Sequence, residues 1–162
     1  MITQEQVKKL FTYSHGDLIR LITVSNAVKG SIVGSRSTSG HLNVRAHRRE
    51  YRVHQLVFLY HHGYIPKEID HINGIRDDNR IENLRECTRS QNQYNSIKRK
   101  NTTSKYKGVH WNSARRMWMG QLGLNKKQIY LGLFDDEETA AQVVQIARIK
   151  HHGEFANHGG AL

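Results

Sequence analysis

Two segments of the N-terminal half place apolar residues at helical spacing. Residues 1–12 keep theirs on one face, and Thr3 and Gln6 have the spacing of a capping box. Residues 54–62 repeat the pattern and are followed by Gly63, which suits a left-handed helix stop. The sequence therefore predicts two short helices.

Between these helices the pattern changes to short runs typical of strands. Residues 18–24 form one predicted strand, and residues 41–46 and 50–53 a predicted hairpin. The hairpin turn carries Arg48 and Arg49. A contact with DNA and a merely solvated turn are both consistent with this pair.

Residues 68–96 change from strand to loop to strand to helix. A short alternating run ends at Asp70 and His71, and an Asn-Gly pair typical of a tight turn follows. Residues 81–87 can form a second strand. Thr88 has capping-box spacing to a glutamine and begins a predicted helix.

The C-terminal segment predicts a sheet followed by a helix. Its strands are residues 106–111, 117–124 and 128–134, and Asp135 with Glu138 is a suitable helix start. The predicted fold class is α+β: a small β unit with a helix and a strand–strand–helix motif, a basic linker, and a three-stranded antiparallel sheet packed on one helix.

Charge indicates the kind of partner. Of the 162 residues, 25 are Lys or Arg and 14 are Asp or Glu, which gives a formal charge of +11 and favours a polyanion. A membrane surface is also anionic, but no apolar run of membrane length and no signal-peptide pattern is present. We expect a soluble, intracellular protein. The single Cys87 excludes a paired-cysteine zinc site.

Four polar residues of segment 68–96 suit metal-assisted hydrolysis of a phosphodiester. The oxygens of Asp70 and Asn92 are ligands that Mg²⁺ prefers, and a neutral His71 can take a proton from the attacking water. Asn83 could hold the imidazole by a hydrogen bond.

Three histidines of the second predicted helix, His54, His61 and His62, also suggest a metal site. No cysteine, and no histidine pair one turn apart directed at a carboxylate, accompanies them. We expect this helix to support the motif from behind as part of the core.

Several motifs resemble the HNH (ββα-metal) endonucleases, in particular the phage homing branch. They are Asp70-His71-x-Asn73-Gly74, Asp78-Asn79-Arg80-x-x-Asn83-Leu84-Arg85, and the later Asn92 and Asn95. The resemblance implies His71 as general base, Asp70 and Asn92 as metal ligands, and Asn83 as the residue that orients the loop. Asn92 stands where the wider family has His, which favours Mg²⁺ or Mn²⁺ over Zn²⁺ because an amide oxygen is a harder ligand.

The rest of the chain offers candidate DNA contacts. One set lies in the basic linker, residues 98–105: Lys98, Arg99 and Lys100. Another is expected on the open face of the C-terminal sheet and its turns: Lys107, His110, Trp111, Arg115, Arg116, Gln121, Gln128 and Tyr130. A solvated tether remains an alternative for the linker.

The C-terminal segment resembles the plant ethylene-response-factor (apetala-two) DNA-binding domain. The motifs that carry the resemblance are Tyr106-Lys107-Gly108-Val109, Leu131-Gly132-x-Phe134-Asp135, Glu138-x-Ala140-Ala141 and Gly153-x-Phe155-Ala156-Asn157. The resemblance implies a sheet that reads the major groove. The predicted domains are a nuclease domain at 1–97 and this domain at 106–158, joined by the linker.

The favoured function is a sequence-targeted, homing-type DNA endonuclease that acts as a monomer on double-stranded DNA in a phage-infected bacterium. It nicks one strand per site. Two other classes are a DNA-binding regulator with an inactive nuclease fold and a protein that binds or cleaves structured RNA. Product formation on supercoiled plasmid with Mg²⁺ distinguishes the three.

Overall fold

The computed structural model describes residues 1–98 and 100–157. It divides the chain into two compact units, Met1–Cys87 and Thr88–Leu162. Each unit combines helices with small antiparallel sheets, which confirms the α+β class. The division falls ten residues before the predicted end of the nuclease domain at residue 97, because the segment from Thr88 packs within the second unit.

The first unit contains two helices and three small sheets. Its elements are α1 (Gln4–Leu10), β1 (Phe11–Ser14), β2 (Asp17–Arg20), β3 (Ser35–Arg36), β4 (Leu42–Ala46), β5 (Arg49–Arg52), α2 (Val53–His62), β6 (Ile69–His71) and β7 (Leu84–Glu86). The sheets are β1–β2, β3–β4–β5 and β6–β7.

The predicted helix signals of this unit are confirmed. Thr3 and Gln6 form the capping box of α1, since the Thr3 hydroxyl accepts from Gln6 N and the Gln6 side chain from Thr3 N. Helix α2 ends at Gly63, whose φ of 83° is left-handed. Val53, Leu56 and other apolar residues of α2 are buried in the core, which also includes residues of α1, β1 and β2. Helix α2 is therefore the centre of this unit.

The second unit starts with a short helix and continues with a sheet and a long helix. Its elements are α3 (Arg89–Tyr94), β8 (Val109–Asn112), β9 (Met117–Leu124), β10 (Lys127–Phe134) and α4 (Glu137–His152). The strand order is β10–β9–β8, all antiparallel. Val109 on the sheet and Ala140 and Val144 on α4 are buried together, so the small residue on the helix allows close packing on the strands.

Several predicted boundaries were wrong in detail. The helix predicted over residues 1–12 ends at Leu10, where β1 begins, and the strand predicted at 106–111 begins at Val109. The strand predicted at 18–24 ends at Arg20, after pairing with β1. The strand predicted at 81–87 is a 3₁₀ turn over Ile81–Asn83 followed by the shorter β7. The α4 cap is Asp136, whose carboxylate accepts from Thr139 N at 2.7 Å, instead of Asp135.

Among the described residues, none of the helices combines the length and the hydrophobicity that crossing a bilayer requires.

Candidate active site and nucleic-acid interface

His71 and Asp70 lie at the end of β6, and both are buried, with 5 % and 4 % of their surface exposed. The short β6–β7 ladder holds them, since Asp70 stands opposite Arg85 and His71 opposite Leu84. The loop after His71 turns back through Gly74, whose N–H donates to the His71 carbonyl at 2.8 Å. The ladder and the turn thus fix the backbone at both residues.

The imidazole of His71 is oriented by Asn79. His71 Nε2 lies 3.1 Å from the Asn79 amide oxygen Oδ1, and Asn79 itself is buried. With an oxygen as its acceptor, Nε2 carries the ring hydrogen, and Nδ1 keeps the lone pair that a general base needs. Burial lowers the pKa of His71, against the opposing effects of this hydrogen bond and of the nearby carboxylates. The ring is therefore neutral at physiological pH.

Asp70 pairs with the cation opposite it on the ladder. Arg85 Nε and Nη2 approach Asp70 Oδ2 at 2.9 and 2.8 Å, and both side chains are largely buried. The arginine compensates the carboxylate, since an unpaired charge at this depth would be costly.

Asn83 organises the loop between β6 and β7. Its Oδ1 accepts from Asn73 N at 3.0 Å, and its Nδ2 donates to Asn73 Oδ1 at 3.0 Å and to the Asp78 carbonyl at 2.8 Å. The sequence prediction gave Asn83 the bond to the imidazole, but the structure gives that bond to Asn79. Asn83 does not bond to the His71 ring. It holds the loop that carries Asn79, and Asn79 bonds to the ring.

Two further imidazoles lie beside His71. The ring centroids of His54 and His71 are 4.9 Å apart, those of His41 and His54 5.1 Å, and those of His41 and His71 5.7 Å. Burial lowers the pKa of His54 to about 3 and that of His41 to about 4. All three rings are therefore neutral. Of the α2 histidines considered in the sequence, only His54 is in this cluster; His61 and His62 are exposed.

Asn92, the second predicted oxygen ligand, is carried by α3 in the second unit. Tyr94 of the same helix stacks on His152, with ring centroids 3.8 Å apart and planes 2° from parallel, and its hydroxyl donates to Asn125 Oδ1 at 3.1 Å. Lys107 Nζ donates to the carbonyls of Tyr94, at 2.9 Å, and of Ser96. Helix α3 is thus held firmly on the C-terminal sheet and α4.

Lys107 was predicted to contact DNA, but its ammonium group is directed at the end of α3. Burial and the Arg148 guanidinium lower the pKa of Lys107 to about 7. A half-buried amine with two carbonyl acceptors is already satisfied. Its contacts are those of a structural residue.

The strand register decides which predicted residues share the open face of the sheet. Gln121 stands opposite Tyr130, and Gly123 opposite Gln128. His110 faces the same way, opposite Met119. Trp111 does not share this face, because it pairs with Trp118, which packs against the α4 side of the sheet. The ring centroids of the two tryptophans are 5.1 Å apart in an edge-to-face contact.

The predicted basic contacts occupy turns and the linker. Arg48, Arg49, Arg115 and Arg116 are exposed at the ends of two hairpins, Lys98 is half-buried and Lys100 exposed. Arg99 lies outside the described residues. The linker is anchored at its far end, because Glu137 Oε1 accepts from Ser104 Oγ at 2.6 Å and from Lys105 N at 2.9 Å.

A polar groove of about 710 Å³ lies within the second unit. Its walls come from α3, the linker, the sheet and the C-terminal part of α4, and they include Lys98, His110, Gln121, Lys126 and Gln128. Cations beside amide side chains form a surface suited to a nucleic-acid strand.

Comparison with known proteins shows the family of the chain. It is 35 % identical over 107 residues to Protein 3.8 of Escherichia phage T7, covering 65 % of this chain and 88 % of the phage protein. The chain belongs to the family of that phage protein. Within this chain, residues 51–94 match the HNH endonuclease family. The match begins within β5 and ends with α3. It includes Asp70, His71, Asn83 and Asn92, but stops before Asn95 and Ser96 at the end of the predicted motif.

A second relative is more distant. The chain is 32 % identical over 76 residues to an AP2-like ethylene-responsive transcription factor of Arabidopsis thaliana, which is 46 % of this chain but 17 % of the plant protein. No solved structure matches the chain. The resemblance to an HNH endonuclease domain is confirmed, and the supported activity is that of a DNA endonuclease.

Sequence reasoning missed three residues of the nuclease site: Asn79, His41 and Arg85. Asn79 and Arg85 stood within the recognised motif, and strand pairing could have placed Arg85 opposite Asp70. His41 gave no signal, because it is distant in sequence and precedes an ordinary strand.

Proposed function

We propose that this protein is a metal-dependent endonuclease that nicks double-stranded DNA, with His71 as its general base. The observation that carries the proposal is the buried His71 ring, tied through Nε2 to Asn79 in a domain that matches HNH endonucleases. This hydrogen bond supports a role for Nδ1 as the proton acceptor, since a general base must present its lone pair in a fixed direction.

In the proposed reaction His71 Nδ1 removes a proton from a water molecule as the water oxygen attacks phosphorus. The bond from phosphorus to the leaving oxygen breaks, and a second water protonates that oxygen. Asn79 Oδ1 keeps its hydrogen bond to Nε2 while the ring becomes an imidazolium, so the bond strengthens as charge develops. The neutral resting state of His71 suits this task.

The donor set fits Mg²⁺ or Mn²⁺. Asp70 offers a buried carboxylate at the end of β6, and Asn92 is the proposed second oxygen ligand. When bound, a divalent ion of this kind neutralises charge that develops on the phosphate and on the leaving oxygen. A closed zinc site of cysteines is not available, because the chain has one cysteine.

The second unit is proposed to select the DNA site, in the manner of a homing enzyme. Support comes from the open sheet face with Gln121, Gln128 and Tyr130, and from the exposed arginines of the β8–β9 turn. Glutamine can bond adenine through two contacts, and arginine can neutralise phosphates. The similarity to an AP2-like transcription factor supports the same role. One nuclease motif per chain favours a nick by a monomer.

The test is cleavage of supercoiled plasmid with Mg²⁺ by wild type, His71→Ala and His62→Ala. His71→Ala should lose about 10²- to 10⁴-fold in rate, the usual contribution of a general base, and retain DNA binding in a gel-shift assay. His62→Ala is the matched control on exposed α2 surface and should cleave normally. Cleavage by His71→Ala at the wild-type rate would refute the assignment.

A further inference from the structure

The proposed Mg²⁺ reaction uses His71 but gives no role to His41 and His54, which lie beside it. One ring nitrogen from each of the three histidines lies within 4.8 Å of one from each of the others. The three come from separate elements: His41 immediately precedes β4, His54 is on α2 and His71 ends β6. Tertiary folding alone brings them together.

Two nitrogens of the cluster have no hydrogen-bond partner among the described residues. They are Nδ1 of His41 and Nδ1 of His54, and both atoms are buried. The His54 side chain as a whole is 3 % exposed. A buried polar atom without a partner is unusual in a folded protein, and two at one place point to an absent ligand.

The His41 and His71 rings each have a hydrogen-bond partner outside the cluster. His71 Nε2 is bonded to Asn79 Oδ1, and the His41 ring is hydrogen-bonded to the Arg76 backbone. Metal-binding histidines commonly have this outer hydrogen bond, which fixes the tautomer and presents the other nitrogen. His41 and His71 are therefore prepared as ligands without large rearrangement.

We propose that His41, His54 and His71 form a binding site for a transition-metal ion such as Zn²⁺, and that its occupation inhibits the nuclease. Neutral imidazoles favour Zn²⁺, Co²⁺, Ni²⁺ or Cu²⁺ over Mg²⁺. In a tetrahedral zinc site the ligand nitrogens are roughly 3.3 Å apart. The rings must therefore close by about 1.5 Å or less, which small side-chain rotations can supply.

Inhibition follows from the chemistry of His71. A metal bound to its lone pair removes the electron pair that takes the proton from water. Arg52 and Arg76 lie near His41 and disfavour weakly held cations. Donor bonds, and not charge attraction, should therefore account for the affinity. The binding claim is independent of the proposed nuclease activity, whereas the inhibition claim rests on it.

The test is a titration of the full-length protein with Co²⁺ in excess Mg²⁺. Binding is measured from the visible absorption of tetrahedral Co²⁺, and Zn²⁺ is then added to displace the bound Co²⁺. Wild type should bind one ion per chain. His41→Asn and His54→Asn should each weaken binding by at least about tenfold, because losing a ligand costs no less than losing an outer hydrogen bond. Asp70→Asn and the exposed His62→Asn should bind as wild type does.

His41→Asn keeps the test valid if His54→Asn fails to fold, because His41 is only partly buried; circular dichroism checks each variant. In cleavage assays with Mg²⁺, equimolar Zn²⁺ should inhibit wild type and His62→Asn but not His41→Asn, each relative to its own rate without zinc. Unchanged Co²⁺ binding in folded His41→Asn, or its loss in Asp70→Asn, would overturn the proposed site. Binding without inhibition would overturn the inhibitory role alone, and a protein that never cleaves DNA would leave the Co²⁺ result standing.

Discussion

The hydrogen bond from His71 Nε2 to Asn79 Oδ1 makes Asn79→Ala a direct test of how the general base is held. The bond is 3.1 Å long and buried, and Asn79 is 2 % exposed. The substitution removes the acceptor and leaves the imidazole itself in the protein. Asn79 is a positioning residue, because its effect on the reaction passes through His71.

The magnitude follows from the change of charge during the reaction. A hydrogen bond between neutral groups contributes about 1 kcal/mol, and one to a charged group about 1.5–3 kcal/mol. The His71 ring is neutral before proton transfer and positive afterwards, so the transition state gains roughly 0.5–2 kcal/mol more from Asn79 than the ground state does. Asn79→Ala should therefore lower kcat about 2- to 30-fold.

The sign of the pH effect is fixed as well. The bond to Asn79 raises the pKa of His71, against the larger lowering by burial. Asn79→Ala should therefore lower this pKa further and move the acid limb of kcat to lower pH. Asn79→Asp places a carboxylate at the same atom and should move the limb to higher pH. The assay is single-turnover cleavage of supercoiled plasmid with saturating Mg²⁺ across the pH range.

The pair of variants separates positioning from general damage to the fold. A damaged site would lower activity in both without opposite movements of the pH limb. If kcat and the pH profile of Asn79→Ala match those of wild type, the assignment of Asn79 as the residue that orients His71 is refuted. Binding to DNA should change little, because Asn79 is buried.

Further predictions concern the metal ligand, the docking of α3 and the DNA face. Asp70→Ala should lower activity and raise the Mg²⁺ concentration for half-maximal cleavage; an unaltered Mg²⁺ dependence would contradict the ligand role. Tyr94→Phe removes two hydrogen bonds with Asn125 and should destabilise the second unit by about 1–3 kcal/mol, measured by tryptophan fluorescence in denaturant, since both tryptophans lie in that unit. The folded pKa of Lys107, about 7, lies below the usual 10.5, so the unfolded chain binds more protons between these values. Stability of this unit should therefore rise with pH across that window, and Lys107→Met should flatten the rise. The double substitution Gln128→Ala with Tyr130→Ala should weaken DNA binding at least about tenfold in a gel-shift assay without lowering single-turnover cleavage at saturating enzyme; equal affinity would show that the open face does not bind DNA.

Local signals in the sequence determined much of the fold. Capping boxes at Thr3 and Thr88 and the left-handed stop at Gly63 marked helix ends within a residue or two, because these signals act over one turn of chain. The strand pattern around Asp70 and His71 placed both at a strand end for the same reason. The long strands β9 and β10 were also found from their apolar runs.

Only the tertiary structure decided which side chains meet. The strand register placed Trp111 on the helix side of its sheet and paired Asp70 with Arg85, and a shift of one residue would have reversed both faces. The packing of α3 gave Lys107 two carbonyl acceptors, so a basic residue that resembled a DNA contact became a structural one.

The histidine cluster is the clearest case. His71 could be proposed as the general base from its neighbours in sequence, since a motif is a local pattern. His41 and His54 come from other elements and approach His71 only when strand, helix and strand pack around the same core. These contacts join residues that are far apart in the sequence. They depend on the sum of all the packing interactions that bring those segments together, and no short sequence pattern reports them.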